Sequence, residues 1–473
     1  MKQQVNVTDV VINKLEIYSS AGKYDLRPHI AELNIYENIH KPALSANIVL
    51  SDSHNIPYKL PIVGQETVDI DIVLSGFSDA NKNQDVFINP PPLHVTSISS
   101  RFFSKPKAQV FTLELVSEQY IGSIHSKISK SYKDKKISDI VADIYYKYLH
   151  SNNSSIYIEP TERIENIIIP NLSPTDAIAW LCQRAIQIDG VAVNYLYYET
   201  MRSCYFNSIN SLAEKADEPI FTYYLRPRVD DPSGVSKMSV GQFAISKLTF
   251  LNQFDKIKNI QRGIHSSKLI THDIVTKKIT QYEYNGFNAF VGISHFGKFP
   301  PLMNSEMETQ ASRMKSTSLA PRDNAGWGHA NEHTLSDMTD SKVEFYPKHN
   351  QMYARNAGEQ YDNKVEEWKL QRAGNIGIYD GITLLLEVSG NSALRVGMGI
   401  TVIIPSPETT DLDNMTDKIN DKFLSGTYLV TAIQHVFSRI GGTDPKISYT
   451  MKIEVVKDSV EDVVTGIKSR KED

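Results

Sequence analysis

The sequence predicts an α+β, multidomain protein with two related antiparallel β-barrel-like, tube-like domains plus mixed α/β insertion domains. Three observations predict it. Runs near both ends alternate apolar and polar residues, the interior changes to helical spacing, and the strand patterns of the first block recur in order in the last. Alternation marks half-buried strands because successive side chains point to opposite faces of a sheet. At 473 residues the chain exceeds one ordinary core.

Residues 1-120 form the first tube-like domain. Val68, Ile70 and Ile72 alternate with Asp69 and Asp71, Phe111, Leu113 and Leu115 alternate with Thr112 and Glu114, and Asn89-Pro90-Pro91-Pro92 breaks the runs. Residues 121-240 form a mixed helix/strand domain. There Ile137, Ile140, Val141, Ile144, Tyr145 and Tyr148 recur along one helical face. A second helix is capped by Ser173, with Pro174 at its first position, Asp176 at capping-box spacing, and Ile178, Leu181, Cys182, Ala185 and Ile186 as its stripe. Tyr195 to Tyr198 and Phe221 to Leu225 read as strands.

Residues 241-285 and 381-456 form the second tube-like domain, whose strands include Ile245 to Leu251, Tyr428 to Phe437 and the alternation of Tyr449, Met451, Ile453 and Val455. Residues 286-380 interrupt it as an insertion: an extended segment rich in Ser, Met, Asn, His and Gly, then a helix over Gln351 to Arg372. Residues 457-473 are a C-terminal tail.

The repeat rests on four collinear matches. Ile12, Lys14 and Leu15 match Ile245, Lys247 and Leu248. Val63-Gly64 and Thr67-Val68 match Val396-Gly397 and Thr401-Val402, with one extra residue in the later copy. Val95, Thr96, Ile98 and Phe102 match Val430, Thr431, Ile433 and Phe437 at identical spacing, and these eight residues are the repeat's signature. Phe111 to Leu115 matches Tyr449 to Ile453 in aromatic, threonine, apolar, charged, apolar order. Each match alone is what any half-buried strand prefers, so the order carries the weight. Duplication lets related modules alternate around a ring, with three chains supplying six.

Composition narrows the function. Hydrophobic residues at 41% and charged residues at 22% exclude global disorder, and a net charge of −5 leaves no basic footprint for nucleic acid or an anionic membrane. Only Cys182 and Cys204 occur, which excludes a multi-cysteine zinc site and fits a reducing compartment. Met1 to Val11 lacks the pattern of a secretory signal, and no apolar run reaches bilayer length, so folding in a cytoplasm without membrane insertion is expected.

Six stretches resemble the central baseplate hub proteins of T-even-type contractile phage tails, and also the amino-terminal part of type VI secretion spike proteins. They are LPIVGQETVDIDI at 60 to 72, KKISDIVADIY at 135 to 145, NLSPTDAIAWLCQRA at 171 to 185, CYFNSINSL at 204 to 212, LRVGMGITVIIPSP at 394 to 407 and LSGTYLVTAIQHVF at 424 to 437. Together they span nearly the whole chain, and none is a catalytic signature. The resemblance implies a homotrimer whose six barrels form a pseudo-six-fold ring. That ring would join a six-fold tail tube, or its initiator protein, to a trimeric central spike, with baseplate wedge and tape measure proteins as further partners. DNA would pass through its channel without specific binding. The implied location is the virion tail baseplate, assembled in the host cytoplasm, and no cofactor or metal is implied. The family's spike-facing region lies partly towards the carboxyl end, which makes Val456 to Asp473 a candidate; a solvated, frayed helix is the alternative there. The polar segment 286 to 345 departs from the family pattern.

Catalytic alternatives are weaker. His329 and His333 are four apart, but Ala330 stands where a zincin needs Glu, and Gly326 and Gly328 favour a loop. His272-Asp273 sits in a strand, where neighbours diverge; Glu366-Glu367 beside Trp368 is solvated helix surface. Trp180 reads as core and Trp327 as a partner contact. The rivals are a type VI-like spike or other tail adaptor, and a tail-associated cell-wall hydrolase. A type VI spike would continue into a β-helical needle, and no glycine-rich short-period repeat follows Lys457.

Overall fold

The computed structural model describes residues 9–74, 87–149, 155–188, 192–216, 218–225, 243–253, 255–286, 289, 293–297, 339–351, 361, 363–379, 381–405, 420–421, 423–440 and 446–460. The chain begins with β1 (Asp9–Ser19), β2 (Gly22–Asp25), β3 (Ile30–Asn38), β4 (Ser45–Asp52), α1 (Ile56–Lys59), β5 (Thr67–Leu74), β6 (Phe87–Ile88), β7 (Leu93–Lys105) and β8 (Ala108–Ser117). There follow α2 (Glu118–His125), β9 (Ile128–Lys136), α3 (Ile137–Ile144), β10 (Ile156–Ile158), β11 (Ile164–Leu172), α4 (Pro174–Cys182), β12 (Tyr195–Glu199), β13 (Cys204–Ser208) and α5 (Ile209–Ala216). The remainder comprises β14 (Phe221–Leu225), β15 (Ala244–Asn252), α6 (Lys256–Arg262), β16 (Ser266–Asp273), β17 (Lys278–Asn285), β18 (Val343–Pro347), α7 (Val365–Tyr379), β19 (Ile382–Ser389), β20 (Gly399–Ile403), β21 (Gly426–Ile440) and β22 (Lys446–Lys457). The class is α+β and strand-rich.

Fourteen strands share one sheet, in the order β2-β1-β22-β19-β15-β14-β20-β21-β3-β4-β8-β7-β5-β6, with β1 also on β5 and β22 also on β21. The pairing therefore returns on itself twice. One circuit runs β22-β19-β15-β14-β20-β21, the other β1-β5-β7-β8-β4-β3-β21-β22, and they share the β21–β22 hairpin. Three smaller sheets, β10-β13-β12, β11-β9 and β17-β16-β18, lie outside it.

Two five-strand runs inside the large sheet, β3-β4-β8-β7-β5 and β15-β19-β22-β21-β20, have the same order and the same register. Leu33, Ile48, Leu113 and Ile98 stand opposite one another across the first run. Leu248, Leu386, Ile453 and Ile433 do so across the second. Two register shifts of each run fall in matching places, at Ala31 and Ser246, and at Thr96 and Thr431, whereas those at Leu251, after Ser99 and at Ser104 belong to one run alone. A bulge inserts one residue on one strand and sets which side chains face inward beyond it, so these positions fix the register of each run.

The pairing revises three of the four sequence matches. β15 stands where β3 does, beside the strand matching β4, whereas β1 pairs with β5. Ile12-Asn13-Lys14-Leu15 and Ile30-Ala31-Glu32-Leu33 carry the same local pattern, so sequence alone could not choose between them. Thr67 and Val68 correspond to Gly399 and Ile400, and Leu113 to Ile453, each two residues from the sequence match. A slide of two keeps every side chain on its own face, which alternation cannot detect.

Other boundaries move as well. β16 and β17, assigned by sequence to the second tube-like domain, pair with β18 of the insertion, and β14, assigned to the middle domain, joins the large sheet. Of the helix expected over Gln351 to Arg372, residues 352–360 and 362 lie outside the described residues; the described helix runs from Val365, after Lys364 in a left-handed conformation, to Tyr379. Gly374 and Gly377 allow that continuation, because Tyr284 and Ile264 occupy the space a β-carbon would need. The tail's first residues are buried: the Lys457 ammonium donates to the carbonyls of Phe423 at 3.2 Å and Ser425 at 2.6 Å. His329, His333, Trp327, nearly all of 286–338 and 461–473 lie outside the described residues.

Ser173 caps α4 as expected, its hydroxyl accepting from the Asp176 amide at 3.3 Å and bonding the Asp176 carboxylate at 2.5 Å. The expected face of α3 is buried, and Tyr145–Leu149 extend it as a π-helical turn. Buried apolar side chains of both runs form one continuous cluster. A second cluster fills the space between α3, α4, β9 and β11–β13, and a third links Leu269, Tyr284, Val365 and Trp368 to Ile186 and Val193.

Candidate assembly surface

The signature residues occupy matching positions up to one point. The amide of Val95 donates to the Glu66 carbonyl at 2.9 Å, and that of Val430 to the Met398 carbonyl at 2.9 Å. One residue on, the Thr96 hydroxyl donates to the Glu114 carbonyl at 3.1 Å, and the Thr431 hydroxyl to the Glu454 carbonyl at 3.1 Å, so a threonine ties down each bulge. Ile433 is buried and Ile98 packs half-buried against the same core. Beyond them the copies part. Phe437 is buried and stacked on Tyr449 with ring centroids 4.6 Å apart, whereas Phe102 is 56% exposed. A further register shift follows Ser99, where Ser100 has a left-handed φ of 49°, and it turns Phe102 outward.

The runs meet at a seam. β3 and β21 pair antiparallel from Glu32↔Ser438 to Asn38↔Ala432, and the Gln434 side-chain amide donates to Asn34 at 3.0 Å across it. β1 and β22 add Asp9↔Ser448 and Val10↔Ile447.

Two buried carboxylates tie the first run to the middle of the chain. Glu37, on β3, accepts from the Met201 amide at 2.7 Å and lies near Arg395 and Arg202. Glu199, at the end of β12, accepts from the Leu44 amide at 3.0 Å and the Ser117 hydroxyl at 2.5 Å. Burial pushes both carboxyls up to about 7, against the pull of these donors and, for Glu37, of the nearby arginines. Sequence reading missed both. The available signal was an acid in a core position: Glu37 two residues from buried Ile35, and Glu199 ending the aromatic run from Tyr195.

The catalytic candidates remain apart. Glu366 bonds Lys348 at 2.9 Å, while Glu367 pairs with Arg163 and Lys364. Asp273 turns from His272 and bonds His349 at 3.0 Å, which holds its carboxyl below the usual range. Trp180 packs against the second cluster with the Arg184 guanidinium over its ring, and the Tyr195–Tyr198 run is buried strand. His29, Asp52 and His54 bring ligand-type atoms within 4.8 Å of one another. Asp52 is committed to the amides of His54 and Ile56 and the Gln109 side chain, and His29 to Tyr24 and the Ser51 carbonyl, so the trio works as an internal brace.

No protein-family model matches the chain, and no curated protein matches it. Among solved structures it is similar to the tail protein from Neisseria meningitidis MC58, at 11% identity over 94% of this chain and 96% of that one, with a TM-score of 0.49. It is similar to the 43 kDa tail protein of prophage MuSo2 from Shewanella oneidensis, at 9% identity over 95% and 99% of the two chains, with a TM-score of 0.49. A chain of a Francisella PdpA–VgrG complex matches at 11% identity over 96% of this chain and 60% of that one, with a TM-score of 0.42. The structural neighbours of this chain are phage tail and baseplate proteins and proteins of type VI secretion.

Proposed function

We propose that the chain is the structural hub of a contractile phage tail baseplate, a homotrimer that joins the six-fold tail tube to the trimeric central spike and encloses the DNA channel. One observation carries the reading: two five-strand runs in one chain share order, register and two bulge positions. Each run, with its closing strands, is a tube-like barrel. Three chains then supply six near-equivalent modules on one side while keeping three-fold symmetry on the other, which resolves the mismatch between tube and spike. The six stretches quoted from the sequence support the same assignment.

The protein works by assembly, not turnover. Its partners are the spike, the tube or tube-initiator protein, and wedge and tape measure proteins at its rim. Its place is the virion baseplate, after assembly in the host cytoplasm. Electron microscopy of the purified full chain is expected to give rings with a central channel, three-fold overall and six-fold in the inner wall. Particles without a channel, at every protein concentration and with spike added, would contradict the proposal.

A further inference from the structure

Resting on the hub reading, which makes the partner of this chain a protein, we infer that the cleft beneath α7 binds an acidic peptide segment of another tail protein. Arg372 holds the carboxylate of that segment, and the floor of the cleft takes an apolar side chain beside it. The cleft has a volume of about 760 Å³, within the range of ligand sites. Its floor is the face of the β21–β22 hairpin that presents Leu429, Thr431, Glu454 and Val456. The counterpart face of the first run carries His94, Thr96, Glu114 and Val116, and there Thr96 is exposed. In the second run the insertion covers that face. The end of α7 rests on the core through Ile376 and Tyr379, whereas Trp368, near its start, belongs to the insertion's own cluster. The helix therefore bridges a gap, and α6 and β18 close the far side with Arg262, Lys342 and Glu344.

Charge selects the ligand. Four cationic side chains line the cleft, those of Arg262, Lys342, Lys369 and Arg372, against the two carboxylates of Glu344 and Glu454, in a chain whose net charge is −5. Both carboxylates are taken: Glu344 is shared by Lys342 and Lys369, each at 3.0 Å, and Glu454 accepts from the Thr431 hydroxyl at 2.8 Å. Arg372 has no carboxylate. One of its terminal nitrogens donates to the carbonyls of Cys182 at 2.7 Å and Tyr195 at 3.3 Å, which fixes the guanidinium in place, and among the described residues nothing accepts from its other two nitrogens. A half-buried cation without a counter-ion is costly, and a guanidinium held by one nitrogen still offers a fork to a carboxylate. Leu429, Val456 and Ile376 line the same cleft, so an aliphatic or aromatic side chain next to that acid is held as well. A small acid would satisfy Arg372 and leave this apolar floor in water.

The test is selection from an array of random peptides by the full chain. Enriched peptides are expected to carry Asp or Glu beside Leu, Ile or Phe, and Arg372→Gln should weaken the best of them at least about ten-fold. Because Arg372 also ties α7 to Cys182 and Tyr195, a second variant separates binding from folding. Lys369 is 30% exposed, and Glu344 keeps Lys342 without it. In Lys369→Glu the new carboxylate, one turn before Arg372, competes for the guanidinium, so the circular dichroism spectrum is expected to stay and peptide binding to go. No enrichment, enriched peptides without acids, binding that survives Lys369→Glu, or hexanoate binding as tightly as the peptides would each overturn the assignment. Solution mass keeps the two readings apart: a trimer that fails these tests leaves the hub standing, while a permanent monomer that selects acidic peptides overturns the hub and leaves the cleft a peptide site.

Discussion

Thr431 is buried at its bulge and holds both the Glu454 carbonyl at 3.1 Å and its carboxylate at 2.8 Å, while Thr96 is exposed and makes only the carbonyl bond. Thr431→Val is therefore expected to destabilise by about 1–2 kcal/mol and Thr96→Val by less, which thermal melting of each variant will rank. Equal shifts would show that the two bulges are braced by something else. The buried carboxyls make the fold pH-sensitive. Both have native pKa values raised above their unfolded values, so their contribution is fully present below about 4.5 and is lost as pH rises to about 7. Thermal stability is expected to fall between pH 5 and pH 8, and Glu199→Gln should flatten that slope; an unchanged slope would show that Glu199 ionises normally. The threonine signature was legible in the sequence, since its spacing is identical in the two copies. The carboxyls were not, because nothing local distinguishes a strand acid that faces solvent from one that faces a neighbouring element.

At the scale of elements, the turns into β5 and β20 are similar in form but not in surroundings. Gly64 and Gly397 both have positive φ, 92° and 83°. A β-carbon on Gly64 meets only the Val95 carbonyl at 3.8 Å, whereas on Gly397 it would lie 2.7 Å from the Tyr198 hydroxyl and 3.3 Å from Leu212. Gly64→Ala should cost about 1 kcal/mol from backbone strain alone, and Gly397→Ala clearly more; denaturation of both variants measures the difference, and parity would mean that Tyr198 moves aside freely. Strand existence was readable throughout, as at β5, β8 and β22, because alternation reports burial directly. Pairing was not. A period of two is blind to a two-residue slide and to whether β1 or β3 is the partner of the repeat, and the insertion's strands look like those of the sheet it interrupts.

At the scale of the whole molecule, Leu386, Ile453 and Ile433 lie in the core and Leu248 packs half-buried against it. Ile433 is 1% exposed, so Ile433→Asp buries a carboxylate without a partner and is expected to remove soluble folded protein. Ile98→Asp, at the half-buried counterpart, should be milder; soluble yield and circular dichroism compare them. The sequence stretches that suggested a hub lie largely on these runs and on the middle domain's helices, while the match between the two runs is carried by pairings no single segment contains. On the proposed hub reading, this chain completes its structure only as a ring of three. Light scattering of the purified protein, alone and mixed with a trimeric tail spike, tests that most directly. A mass of three chains, or a monomer that becomes a trimer on the spike, is the expected result; a monomer that stays a monomer in both samples would contradict it.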